Sequence, residues 1–454
     1  MTTPPPVPNG PLGGTAPAGC PAHATQGLRP LYGPEAESQP YALYEQLRAE
    51  HGAVAPVQLY GGVPAWLVLG HRENLEVMRS TRFSSDSRHW RAIKEGSLAP
   101  DSPLLPITAP QPLVALTDGA EHARLRGAVT ESLARVNRPR MRRYITRYAT
   151  ALIDDVVAAG RADLVADFAR KLPALVVCRQ LGIRDADALK VGAAVTDMIA
   201  GGETALSSNM LVVEQVRDLV ERKKAEPGDD LASWLLVHPA GLTDEEVREH
   251  LRLVLVAALE PTANLIASAL RMVLTDRRFR GHLSGGQMTL PDALEQVLWD
   301  HPPLAVVPTR WATGDTQLGG RRIMAGDMVM LGLAAGNVDP DIRPDLNVPM
   351  HGNRSHLAFG AGVHECPGQD LGRTIAEAGI DLLLERVPDI RLAIEDDQVR
   401  VVGTWMSRRL TSLPVVFAPQ RRTAPVGARA TVPAGHAAGA VPRESARGRW
   451  SRAR

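Results

Sequence analysis

Cysteine is scarce: Cys20, Cys178 and Cys366 stand far apart in a chain of 454 residues. Such spacing excludes a disulfide framework and a clustered zinc site, and it suits a reducing, cytoplasmic location. A formal net charge of +1 offers no general attraction to nucleic acid. Lysine is rare beside a large excess of arginine, a bias that, with abundant Ala, Gly and Pro, reflects base composition and not function. Aromatic residues make up only 4%, so an apolar pocket is expected to be lined largely by aliphatic side chains. The first residues lack a basic start followed by an apolar run, which predicts no secretory leader; Cys20 likewise lacks the apolar segment that lipid attachment needs.

What is present is an ordinary globular composition, 44% hydrophobic and 22% charged. Residues 1–30 are rich in Pro, Gly, Thr and Ala and are predicted to form a flexible segment. From Pro419 to residue 454, many Arg against a single Glu, with no regular period, predict a basic disordered tail. Between them, residues 31–418 read as one domain, mainly α with a smaller β portion. Apolar positions at helical spacing over Asp163 to Ile183, punctuated by Pro173, make Cys178 a small buried hydrophobe. Thr243-Asp-Glu-Glu246 is a capping box with acids in the first turn. The helix it opens is expected to reach about Asp276, on the order of 50 Å. Glu260, Pro261 and Asn264 interrupt its apolar centre, so it is a core helix and no membrane span. Strand signals fall around Gln317 to Val329 and Val399 to Phe417.

The most informative stretch is Phe359-Gly-Ala-Gly-Val-His-Glu-Cys-Pro-Gly368, followed at once by a helical pattern. Gly360, Gly362 and Gly368 permit backbone angles and close approaches that side chains forbid. A cysteine presented just before a helix N-terminus meets backbone N–H groups and a positive dipole end, conditions that stabilise a thiolate. Phe-Gly-x-Gly-x-His-x-Cys-x-Gly resembles the haem-ligand signature of cytochromes P450, complete at Phe359, Gly360, Gly362, His364, Cys366 and Gly368. The resemblance implies the P450 fold with a single haem domain, haem b as cofactor, and Cys366 as the metal ligand, whose charge favours O–O cleavage.

The resemblance extends along the body. Asp118-Gly-Ala-Glu-His122-Ala-Arg-Leu-Arg126 is similar to the family segment whose His and Arg, stacked four apart on a helix, bind haem propionates. Pro308-Thr-Arg310 resembles the strand that supplies another propionate Arg, and His364 a further donor. Ala334-Ala-Gly-Asn337-Val-Asp-Pro340 and Pro227-Gly-Asp-Asp-Leu231 resemble structural landmarks.

Two departures stand out. Most P450s carry Ala-Gly-x-(Asp/Glu)-Thr on the distal helix beside the haem, where acid and alcohol deliver protons. This chain has Ala257-Ala258-Leu259-Glu260-Pro261-Thr262. Glu260 keeps the acid, Pro261 occupies the alcohol position and should kink the helix, and Thr262 stands about 100° further round. Glu260, Pro261 and Thr262 are therefore the candidate catalytic residues, with Ala257 and Ala258 against the cofactor. The second departure concerns Glu-x-x-Arg before a Pro-Pro turn. Counting back from Pro302-Pro303, Gln296 and Trp299 replace the pair, and Glu295 points to another side of the helix. Replacing both charges avoids an orphan buried ion; a Gln amide and a Trp indole can brace the loop instead, with Arg354 as the expected third member. An actinobacterial P450 subgroup lacks this motif similarly, and signalling-cassette proteins are its candidate partners.

Arg135, Arg138, Arg140, Arg142, Arg143 and Arg147 lie close together after the propionate segment. On a P450 scaffold they border the thiolate face, where acidic ferredoxins dock. The leading expectation is a cytoplasmic monooxygenase, fed by NAD(P)H through ferredoxin reductase and ferredoxin, that oxidises a small, mostly apolar molecule in secondary metabolism. The alternatives are a peroxide-dependent haem-thiolate enzyme and a non-catalytic haem-containing ligand-binding or sensor protein. By resemblance, substrate contacts lie near Ser84 to Pro106, Ile199 to Val213 and Gly403 to Arg409.

Overall fold

The computed structural model describes residues 27–201, 203–276, 289–350, 352–404 and 406–422. The expectations for Cys20, most of the N-terminal segment and the basic tail beyond Arg422 lie outside the described residues. Arg29–Pro30 form a short strand, β1, parallel to β2 (Val54–Leu59). At the other end, the Gln420 amide donates to the Val157 carbonyl at 3.0 Å.

A small sheet and a helical body divide the chain. β2 pairs antiparallel with β3 (Val63–Val68), which runs parallel to β4 (Val329–Leu331), giving the order β1-β2-β3-β4. These strands carry near-continuous apolar runs because both faces are covered. The helical body comprises α1 (Gly119–Ala134), α2 (Arg138–Val156), α3 (Lys171–Leu181), α4 (Asp185–Ala200), α5 (Ala205–Ala225), α6 (Asp244–Thr275), α7 (Leu290–Asp300) and α8 (Gln369–Arg386). Its core joins Ile145, Leu172, Leu265, Ile266, Leu298 and Ile380, all buried. Pro173 sits in the first turn of α3, where its missing N–H costs no helical bond. Cys178 is fully buried, and burial first, then Asp187, pushes its thiol up to about 12. It is the inert hydrophobe expected.

α6 is the spine of the body. Thr243 Oγ1 accepts from the Glu246 amide and Glu246 returns the bond to Thr243 N–H, completing the capping box. The helix is long and apolar enough to cross a membrane, but it is mostly buried inside the fold, packed on α3, α5, α7 and α8. It continues through Pro261 as one helix.

Both landmark segments serve as structure. Asp230 caps the helix Leu231–Leu236 through the Ser233 amide and pairs with Lys223 at 2.5 Å. Asn337, fully buried, donates to the Leu298 and Trp299 carbonyls and accepts from the Leu357 amide at 2.8 Å. One side chain thus closes the end of α7 and fixes the chain that leads into the cysteine loop. Replacing Asn337 with Ala leaves a buried amide and two carbonyls short of partners, each worth about 1–3 kcal/mol. Equilibrium unfolding of N337A is expected to show a loss of at least about 2 kcal/mol.

Candidate active site

The cysteine loop hangs between the sheet and α8. Gly360 and Gly362 have φ of 68° and 74°, and a Cβ on Gly362 would lie 2.6 Å from the Met78 carbonyl oxygen, so no other residue fits there. Gly368 is neither crowded nor left-handed, with φ of −100°; its role is to cap α8. The Cys366 amide donates to the Phe359 carbonyl at 2.9 Å, closing the loop on its own first residue. Burial raises the Cys366 thiol above its ordinary value, opposed by the Gly368 N–H and then by Arg126. The expected helix-end stabilisation is therefore present but outweighed in the protein alone. Coordination to a metal deprotonates a thiol outright.

Basic side chains converge beside this loop. The His122 and His364 rings lie 4.2 Å apart, and Arg126 and Arg310 act electrostatically on both. Burial, reinforced by His364 and Arg126, pulls His122 down to about 4, and its Nε2 is buried with no hydrogen-bond partner. Arg310 is buried, donates to the neighbouring Thr309 carbonyl at 2.6 Å, and has no acid within ion-pair distance among the described residues. Burial pulls it down to about 10.

A single acid serves the cluster. His364 Nε2 lies 3.2 Å from Asp118 Oδ1 and 3.0 Å from Ser85 Oγ. Asp118 Oδ2 accepts from Ser84 Oγ and from the Ser85 amide, the latter at 2.8 Å. Burial works to raise Asp118, but His364, Ser84 and the Ser85 amide hold it well below the carboxylate range. Asp118 stood inside the recognised segment without a role. Its position immediately before the His122 helix was the available signal.

Across from the loop, α6 presents an open stripe. Ala257 is exposed, and Leu253, Val254, Ala258 and Pro261 are partly exposed, at helical spacing on an otherwise buried helix. Thr262 is buried on another face, its hydroxyl 3.6 Å from where a Cβ of Gly372 would stand. Gly372, on α8, lies six residues past Cys366, so α6 packs against the helix that follows the cysteine loop. Glu260 is buried and faces Arg409, at 3.5 Å. Arg409 belongs to the hairpin of β5 (Val401–Gly403) and β6 (Arg408–Leu410), and no local pattern announced that pairing. A cleft of about 470 Å³ is lined by Tyr41, His301, Arg408 and Arg409.

The second departure is resolved in detail. Gln296 Oε1 accepts from the Met350 amide at 2.6 Å, and Trp299 Nε1 donates to the Asn353 carbonyl at 2.8 Å. Amide and indole thus brace the loop, as the substitution pattern suggested. Its arginine is not Arg354, whose side chain is 68% exposed. Arg343 takes that place: it is buried, pairs with Asp300 at 2.9 Å and lies 5.7 Å over the Trp299 ring. Of the clustered arginines, Arg138 pairs with Asp370 at 3.0 Å, Arg140 with Asp229 at 2.5 Å, and Arg147 with Asp185. Arg135 stacks over Trp234, leaving Arg142 and Arg143 as exposed charge.

This donor set fits one kind of guest. A lone thiol, buried cations short of acids, an orphaned imidazole nitrogen and an open apolar helix face match a flat metal macrocycle bearing carboxylates. His122, Arg126, Arg310 and His364 would hold its propionates and Cys366 its iron, which defines a haem-thiolate protein. No family model matches the chain. The 2-hydroxy-5-methyl-1-naphthoate 7-hydroxylase of Streptomyces carzinostaticus is 32% identical over 81% of this chain and 92% of its own length. The vitamin D(3) 25-hydroxylase of Pseudonocardia autotrophica is 31% identical over 84% and 94%. The solved structure of CYP154A1 from Streptomyces coelicolor A3(2) superposes with a TM-score of 0.77, at 28% identity, covering 86% of this chain and all of that one. The chain belongs to the cytochrome P450 family, and it is a monooxygenase of the bacterial P450 type.

Arg310 yields a test with opposite signs. Without haem its guanidinium is buried and unpaired, so R310M is expected to leave the haem-free protein equally or more stable in thermal unfolding. A charge-assisted bond to a propionate is worth about 1.5–3 kcal/mol. Haem titration of R310M should therefore show affinity lowered about 10- to 100-fold.

Proposed function

We propose that this chain inserts one oxygen atom from dioxygen into a small, mostly apolar substrate, with electrons from NAD(P)H through a ferredoxin reductase and ferredoxin. The reading is supported by the Cys366 loop leading directly into α8, a helix packed on α6, and by the buried Glu260 carboxylate one residue from Pro261 on α6. Bound there, haem would supply the iron at which dioxygen is reduced and cleaved. Ala257, Ala258 and Pro261 give that face its apolar surface and exclude water. Glu260 is the proposed proton-holding group: its carboxyl is buried and reaches Arg409 Nη1 at 3.5 Å. Pro261 offers no hydroxyl, and Thr262 is directed at α8, so Glu260 and water carry the protons.

Arg142 and Arg143 support docking of an acidic ferredoxin. The low cysteine content supports a cytoplasmic location. The missing Glu-x-x-Arg pair supports placement in the subgroup that lacks it, with signalling-cassette proteins as candidate partners. Substrate-contacting segments are proposed at Ser84 to Pro106, Ile199 to Val213 and Gly403 to Arg409. The proline at the alcohol position specifically favours a second reading, in which peroxide is the oxidant.

The reduced carbon monoxide spectrum tests the ligand: the protein should show the red-shifted Soret band of thiolate ligation, and C366S should lose it. A C366S holoprotein with unmoved bands would overturn the assignment. Product formation then sorts the oxidants, dioxygen with a ferredoxin system against peroxide alone. E260Q is expected to keep the spectrum and to lower dioxygen-driven turnover about 10²-fold; unchanged turnover would exclude Glu260 from proton delivery.

A further inference from the structure

We infer that Glu295 is the positioning residue for the cysteine loop in this chain, an inference that rests on Cys366 being the iron ligand. Its side chain is 3% exposed and lies among three basic groups. Oε2 accepts from Arg373 Nη2 at 3.0 Å and lies 2.9 Å from His356 Nε2. Arg373 Nε is 2.9 Å from Oε1, an ion-pair distance, and Arg354 Nε is 3.6 Å from the same oxygen. Burial works to raise this carboxyl, but His356 and then Arg373 hold it below its ordinary value.

Two routes lead from this carboxylate to Cys366. Arg373 stands on α8, seven residues past the cysteine, and its guanidinium carbon lies 4.5 Å from the centroid of the Phe359 ring. Phe359 is the residue whose carbonyl accepts the Cys366 N–H. His356 contacts the Phe359 ring at 5.7 Å and accepts from the Ala358 amide at 3.3 Å. Glu295 therefore holds both limbs of the loop, the segment entering it at His356 and the helix leaving it at Arg373. Gln296 and Trp299, on the same helix, hydrogen-bond to the backbone of Met350 and Asn353, upstream of that loop, and Trp299 meets the His356 ring only edge-on, at 6.0 Å. The charged support lost at positions 296 and 299 is present one residue away, directed at the cysteine segment itself.

Groups that orient a ligand from behind typically change metal affinity or activity 10- to 100-fold when mutated. In the holoprotein, E295Q is expected to shift much of the reduced carbon monoxide band from the thiolate position to the unshifted one. Haem transfer to a scavenging apoprotein should quicken about 10- to 100-fold. Q296A and W299F should leave the band in place. D230N, which removes the acid of the buried Lys223 pair, should lower the unfolding temperature without moving the band. Should E295Q fail to fold, R373K supplies the same readout, with a smaller shift in the same direction. A normal wild-type band that stays unmoved in the variants, with haem loss no faster than in D230N, overturns the role of Glu295. Absence of the thiolate band from the wild-type protein overturns the haem-thiolate reading instead.

Discussion

One sulfur sets the requirements that the surrounding structure meets. A thiol that must present a negative charge inside a sheltered cavity is held against its own preference, because burial favours the neutral form. In this protein the Gly368 N–H and Arg126 oppose that tendency without overcoming it. The loop therefore does not make a thiolate and wait for a metal. It fixes a sulfur in place, and a bound metal would supply the deprotonation. Position, more than acidity, is what the protein has to guarantee, and that explains how many groups converge on the loop backbone while few touch the sulfur.

The same logic accounts for the basic cluster. Arg310, Arg126 and His122 are gathered near Asp118, which is already engaged by His364 and the Ser84–Ser85 segment. Buried guanidinium groups without an acid at ion-pair distance, Arg310 in this protein, are a cost in the protein alone. They persist where a dianionic guest offsets that cost, so the imbalance is itself the imprint of the cofactor. Asp118 also joins the segment at 84–86 to the helix of His122, so the propionate site and a proposed substrate segment share one anchor.

Local chemistry explains which features were legible in the sequence. The capping box at Thr243, the length of α6, the burial of Cys178 and the bracing roles of Gln296 and Trp299 depend on neighbours in sequence or on residue type alone. Arg343 and Arg409 depend on where distant segments meet: Asp300 and Trp299 in one case, a β hairpin and Glu260 in the other. Their contacts carry no spacing signal. Glu295 is the instructive case, since its orientation off the Gln296 face was apparent but its destination was not. The helix it faces, α8, lies some 78 residues away. Arg29–Pro30 show the converse: a Pro-rich composition suggested flexibility, yet two residues suffice to extend a sheet edge, where proline's missing N–H is harmless.

Pro261 now has a physical place. A proline inside a helix removes one hydrogen bond and crowds the preceding turn, costs on the order of 3 kcal/mol in a regular helix. α6 nonetheless runs unbroken through it, because the packed faces on either side, from Leu259 to Ile266, hold the helix together. The proline falls on the one open face, in register with Ala257 and Ala258, where a missing N–H meets no packed neighbour. A threonine there would bring a hydroxyl; the proline brings a rigid apolar surface and leaves Glu260, at the next position back, as the sole acid of that turn. The proposed proton delivery therefore rests on one buried carboxylate whose counter-ion, Arg409, comes from a separate hairpin.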